Sequence, residues 1–161
     1  MVILGIDPGT RIIGYGIIQS EGSKLKVITY GVIKTMSCVM RNALDVETQD
    51  PRLTDGQARL MTQDVSQLAA RLLKGYQELF KIIKQHKPDE IAIETVFYSQ
   101  DVQATIKIGE ARGIALLAAA MTKTPVYEYS PAEVKKSVTG NGRADKSQVA
   151  EMVKHLLSLD T

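Results

Sequence analysis

Cysteine is nearly missing from this chain. Cys38 is the only one in 161 residues, so no internal disulfide can form, and such usage fits a reducing compartment. Histidine is almost as scarce: His86 and His155 stand alone and far apart, nothing pairs either with a nucleophile, and surface roles are the better reading. Charge of one sign is not in excess either. Twenty Lys and Arg face 18 Asp and Glu, for a net charge of +2, which by itself is too small to argue for a nucleic-acid partner. No basic segment precedes the short apolar run at the N-terminus, which argues against a signal peptide. The longest apolar run, Ile114 to Met121, is far too short to cross a bilayer. Internal repeats and low-complexity tracts are also missing. The expectation is a soluble, cytoplasmic protein with no membrane partner, one domain over residues 1–161, long enough to bury a core.

What is there begins with Met1-Val2-Ile3-Leu4-Gly5-Ile6-Asp7-Pro8-Gly9-Thr10. A short apolar run bounded by turn residues reads as a buried strand. It stops at an acid, and a bare carboxylate at the end of a buried strand is costly unless compensated. A metal ion would compensate it; capping the Pro8-Gly9 turn is the plainer alternative. Asp89-Glu90-Ile91-Ala92-Ile93-Glu94 repeats the pattern, with Pro88 suited to a strand entry. If the two strands lie parallel and adjacent, Asp7 and Glu94 meet at the carboxyl edge of the sheet, where open α/β sheets hold their sites. Paired oxygen ligands suit Mg²⁺ or Mn²⁺ rather than zinc.

Between these strands, Ile12 to Ile18 and Leu25 to Thr35 read as two more, joined through a turn at Glu21-Gly22-Ser23, which makes an antiparallel meander. Residues 36–64 are polar, carry Pro51 and Gly56, and read as a loop or inserted excursion, although Thr54 and Gln57 have capping-box spacing. Val65, Leu68, Leu72, Tyr76, Leu79 and Ile83 recur at helical spacing up to the basic stretch at Lys84 to Lys87. Ala104 to Met121 is an apolar helix with many small residues. Pro125 to Tyr129 is a fifth strand. Ser130-Pro131-Ala132-Glu133 combines an N-cap, a first-turn proline and a capping-box acid. Gly140-Asn141-Gly142-Arg143 reads as a flexible basic loop, and Asp145 to Leu159 as a last amphipathic helix. A meander followed by alternating helices and strands gives an α/β fold: a five-stranded mixed sheet with helices on both faces.

With this order in hand, the chain resembles the RuvC family of Holliday-junction resolvases. The resemblance rests on Gly5-Ile6-Asp7-Pro8-Gly9-Thr10, Gly14-Tyr15-Gly16, Ala92-Ile93-Glu94-Thr95-Val96-Phe97, Lys107-Ile108-Gly109-Glu110-Ala111-Arg112-Gly113, Val134 to Gly142, and Lys146-Ser147-Gln148-Val149. It implies a ribonuclease-H-like fold, a homodimer, and Mg²⁺-dependent symmetric nicking of four-way DNA junctions in recombination and repair, with a branch-migration helicase complex as partner. It implies metal binding by Asp7 and Glu94. It implies base contacts near the junction centre by Phe97, and phosphate contacts near the scissile strand by Lys135 and Lys146. Lys136 and Arg143 join that basic set as neighbours beside the glycine-rich loop, where a set of cations suits phosphate contacts. Lys107 and Arg112 carry less weight, because the apolar residues of their helix read as a dimer face. Residues from about 39 to 64 look inserted relative to the family. The family carries two further acidic or metal-liganding positions on a C-terminal helix that this sequence does not match; Asp160 does not sit in that motif. The alternative reading is a catalytically incomplete junction-binding protein, or a decayed fragment of such a nuclease. An actin-like kinase or ATPase shares the opening strand, acid and Gly-Thr turn, but needs a second phosphate loop and usually a second domain.

Overall fold

The structure, a computed structural model, describes residues 1–22, 24–35, 55–95 and 102–159, without the side chains of 55–64, 66 and 104. Five strands form one sheet in the order β3-β2-β1-β4-β5. They are β1 (Val2–Asp7), β2 (Ile12–Glu21), β3 (Lys24–Lys34), β4 (Glu90–Glu94) and β5 (Val126–Tyr129), interleaved with α1 (Asp55–His86), α2 (Val102–Thr122), α3 (Pro131–Thr139) and α4 (Lys146–Leu156).

β1, β2 and β3 form the antiparallel meander, and β4 and β5 extend it in parallel from β1. The chain crosses from β1 to β4 by way of the whole meander and α1, yet the register is firm. Asp89 accepts a 2.6 Å hydrogen bond on its carboxylate from the Val2 amide and returns its own amide to the Val2 carbonyl at 2.8 Å. That reciprocal pair starts β4 opposite β1, with Ile3 beside Glu90 and Ile6 beside Ile93.

Strand side chains alternate between faces. Leu4, Ile6, Ile13, Ile17, Ile33, Ile91 and Ile93 point to one face and pack on Leu79 and Ile83 of α1 and Ala115, Ala118 and Ala119 of α2. The three alanines are fully buried, so α2 meets the sheet through small side chains. Arg112 of α2 reaches Glu128 of β5 at 2.5 Å and ties the helix to the edge strand. α3 and α4 pack on each other and lie toward the opposite face, where Val134 and Val153 come over the sheet. The mixed five-stranded sheet with helices on both faces is therefore as the pattern predicts.

Three boundaries differ. α1 begins at Asp55, so residues 55–64 of the 36–64 excursion are helical; residues 36–54, with the cap read at Thr54, lie outside the described residues. β2 runs on to Glu21 because the hairpin continues to pair up to Glu21 and Lys24, past a bulge at Ile17 and Ile18. α4 stops at Leu156: Leu157 leaves helical geometry and Ser158 takes φ 51°. The Gly140 to Arg143 loop, read from the sequence as flexible, is crossed by hydrogen bonds. The Thr139 hydroxyl donates to the Asn141 carbonyl at 3.0 Å and accepts from the Asn141 amide at 3.2 Å, the Asn141 side chain accepts from the Arg143 amide at 3.0 Å, and Ala144 is buried.

Candidate metal and nucleic-acid site

β1 and β4 end one step beyond the Ile6–Ile93 pair, which sets Asp7 beside Glu94 at the carboxyl edge. Both acids line an open cavity of about 740 Å³ on the face opposite the α1–α2 core, together with Gly14, Tyr129, Val134 and Val153. A Cβ placed on Gly14 would sit 3.5 Å from the Asp7 Cβ and 3.9 Å from its Oδ2, in ordinary contact, so Gly14 lies directly beside the carboxylate. Asp7 itself is exposed. The desolvation cost that the sequence assigns to Asp7 falls instead on its neighbour. Glu94 is half-buried, and burial pushes its pKa up; repulsion from Asp7 pushes the same way and Lys135 pulls it down. A half-buried carboxylate with a second acid beside it forms a site short of positive charge.

Lys135 rides on the half-buried side of α3 and acts on both Glu94 and Asp145. Lys136, Arg143 and Lys146 are exposed on α3, the following loop and the first turn of α4. The two capping boxes hold this unit. Ser130 and Glu133 exchange side-chain and backbone bonds at the start of α3, and Asp145 and Gln148 do so at the start of α4. Those bonds hold the Glu133 and Asp145 carboxyls below their usual range. Asp145 is thus occupied as a cap. Phe97 lies outside the described residues.

The donor set is all oxygen. Among the described residues no group of three His, Cys, Asp or Glu comes together, so Asp7 and Glu94 stand as a pair. Such a pair fits a hard divalent cation that keeps several waters and takes one or two carboxylates alongside substrate phosphates. Sequence reasoning missed Tyr129, which neighbours Glu94 by register, and Thr35, taken up below; neither shows in a local pattern, since each reaches the site through tertiary pairing.

A family profile for RuvC, crossover junction endodeoxyribonuclease, matches residues 3–49 and 46–161. The chain belongs to the RuvC family. RuvC from Desulforamulus reducens is 43% identical over 159 residues, 99% of this chain and 81% of that protein. RuvC from Alkaliphilus oremlandii is 41% identical over 159 residues, 99% and 80% of the two chains. Among solved structures, T. thermophilus RuvC in complex with a Holliday junction substrate superposes with a TM-score of 0.73 at 26% identity, covering 100% of this chain and 82% of that one. RuvC proteins are Holliday-junction resolvases with the ribonuclease-H-like nuclease fold, and the family's nicking is metal-dependent. Membership removes the actin-like kinase reading and favours a resolvase over a decayed fragment. No helix among the described residues is long and apolar enough to cross a membrane.

Proposed function

We propose that this RuvC chain resolves four-way DNA junctions by Mg²⁺-dependent symmetric nicking in the cytoplasm, with Asp7 and Glu94 as metal ligands. The observation that carries the assignment of residues is the parallel β1–β4 register, which brings two acids 87 positions apart in sequence to the same strand edge and one cavity. A divalent ion held there supplies an activated water and neutralises charge on the leaving oxygen; Mn²⁺ is the expected substitute. Asp7 and Glu94 orient the ion toward the scissile phosphate, and their mutual repulsion favours taking it up. Lys135, beside Glu94, and Lys136, Arg143 and Lys146 on the capped α3–α4 unit contact the phosphates. Phe97 stacks on an unpaired base near the junction centre, a contact worth about 1–3 kcal/mol.

The chain acts as a homodimer through the outer face of α2, where Val102, Ile106, Leu117 and Met121 are exposed and a side chain at Gly109 or Gly113 would meet nothing within 4 Å. A branch-migration helicase complex delivers the junction. The described residues bring two acids to the cavity, so further ligands are expected to complete the set, and cleavage by this pair alone would be slow.

The test is purified 1–161 on a mobile four-way junction with Mg²⁺ and then Mn²⁺. Slow, paired, symmetric nicks that vanish in Asp7→Asn, with junction binding retained, are expected. Nicks that persist in Asp7→Asn would remove Asp7 from the site. Binding with no cleavage in either metal would favour the incomplete junction-binding protein.

A further inference from the structure

We propose that Thr35 is a positioning residue for the Asp7 carboxylate. The inference rests on Asp7 being a metal ligand, and it identifies what holds that ligand in place.

The Asp7 carboxylate is exposed and makes no hydrogen bond to a described residue. Its position is therefore set by the backbone on either side. On one side is the β1 ladder with β2, where Asp7 faces Gly14. On the other is the turn Pro8 to Arg11. That turn is tight: a Cβ on Gly9 would lie 2.4 Å from the Ile12 carbonyl oxygen, so only glycine fits. Its carbonyls need partners, because the chain has left the ladder. Thr35 provides them. Its Oγ1 donates to the Thr10 carbonyl at 2.6 Å and to the Arg11 carbonyl at 3.0 Å, and its amide donates to the Arg11 carbonyl at 3.0 Å.

Thr35 is the buried polar residue among those described, only 1% exposed. It follows β3 directly, just after the pair between Ile12 and Lys34. Its methyl faces the place where α1 comes closest: a Cβ on Gly75 would be 3.7 Å from Thr35 Cγ2 and 3.0 Å from Ile13 Cδ1. One side of Thr35 is thus fixed in the core by α1 and β2, and the other grips the two residues that close the turn after Asp7. Thr35 reaches Asp7 only through the turn backbone, so its effect on metal affinity should fall at or below the low end of the roughly 10- to 100-fold carried by groups bonded to a ligand itself.

The experiment measures Mn²⁺ binding without DNA, by the loss of free-Mn²⁺ electron paramagnetic resonance, alongside urea midpoints. Thr35→Val keeps the shape and removes the donor; Thr35→Ser keeps the donor. The expected result is Mn²⁺ affinity a few-fold weaker in Thr35→Val, up to about tenfold, near wild type in Thr35→Ser, and weakest in Asp7→Asn. Wild-type affinity in Thr35→Val, with Asp7→Asn impaired, overturns the positioning role and leaves the metal site standing. Equal losses in Thr35→Val and Thr35→Ser also overturn it, since packing and not the hydroxyl would be at stake. Unchanged affinity in Asp7→Asn, or no Mn²⁺ binding by the wild type, overturns the metal reading and this inference with it. If Thr35→Val does not fold, Thr35→Cys keeps the size with a much weaker donor; it should bind Mn²⁺ less well than Thr35→Ser, and affinity equal to Thr35→Ser overturns the proposal.

Discussion

Glu94 is where burial and charge meet in this molecule. Its folded pKa is raised by burial first and by Asp7 second, with Lys135 opposing. For an acid raised in this way, the stability it contributes is fully present below its unfolded pKa and is lost as pH rises through the folded value. At neutral pH the metal-free fold therefore carries a cost at this position. Glu94→Gln should raise the stability of the metal-free protein at pH 7 by up to about 1 kcal/mol, the scale of a partly screened charge interaction. The gain should fade as pH falls through the raised folded value and be lost at about pH 4, below the acid's unfolded range. Urea unfolding in EDTA at the two pH values checks this, and a lower midpoint for the variant at pH 7 would contradict it. Residues that destabilise a fold until a ligand arrives are common at functional sites, and Glu94 fits that pattern better than the exposed Asp7.

At the scale of elements, the α3–α4 unit depends on local chemistry. The depressed Asp145 carboxyl keeps its capping contribution above its unfolded pKa and loses it as pH falls through the folded value. Asp145→Ala should therefore speed amide exchange of Ser147, Gln148 and Val149 several-fold at neutral pH, while the β1–β2 ladder stays protected. A uniform change across both would show that α4 is not held locally. The same locality explains what could be read from sequence. Strand ends at Asp7 and Glu94, the Ser130 cap and the basic end of α1 follow from neighbours a few residues apart. The tied Gly140 loop, the early stop of α4 and the grip of Thr35 on Arg11 do not, because their bonds depend on where the chain returns. Adjacency of Asp7 and Glu94 could be argued only on the condition that β1 and β4 pair in parallel. The α2 face is a separate test: Leu117, 52% exposed, becomes a buried charge in Leu117→Glu if two copies meet there. Sedimentation should then show monomer where the wild type is a dimer; an unchanged dimer would place the interface elsewhere.

At the scale of the whole molecule, the face opposite the α1–α2 core is apolar around the two acids as well as beyond them. Ile12, Tyr30, Val32, Tyr127 and Tyr129 are all substantially exposed. Apolar surface of this kind invites self-association, and 1–161 should bind a hydrophobic dye in its native state and lose solubility as concentration rises. Dye binding no greater than that of a fully covered globular domain would mean that the face is shielded.

The sheet order also fixes a sequence of events in time. The β1–β2–β3 hairpins close over a few residues, whereas β1 meets β4 only after a loop through α1 is drawn in, and distant pairings form slowly because chain entropy must be overcome first. A nascent chain can thus hold a finished meander, with Asp7 in place, and still have no second acid beside it. In pulse-labelled refolding, the β2–β3 amides should gain protection before those of Val2 and Asp89. Cation uptake should track the later phase. Nuclease chemistry in this chain would then be switched on by the last strand pairing, not by the first collapse.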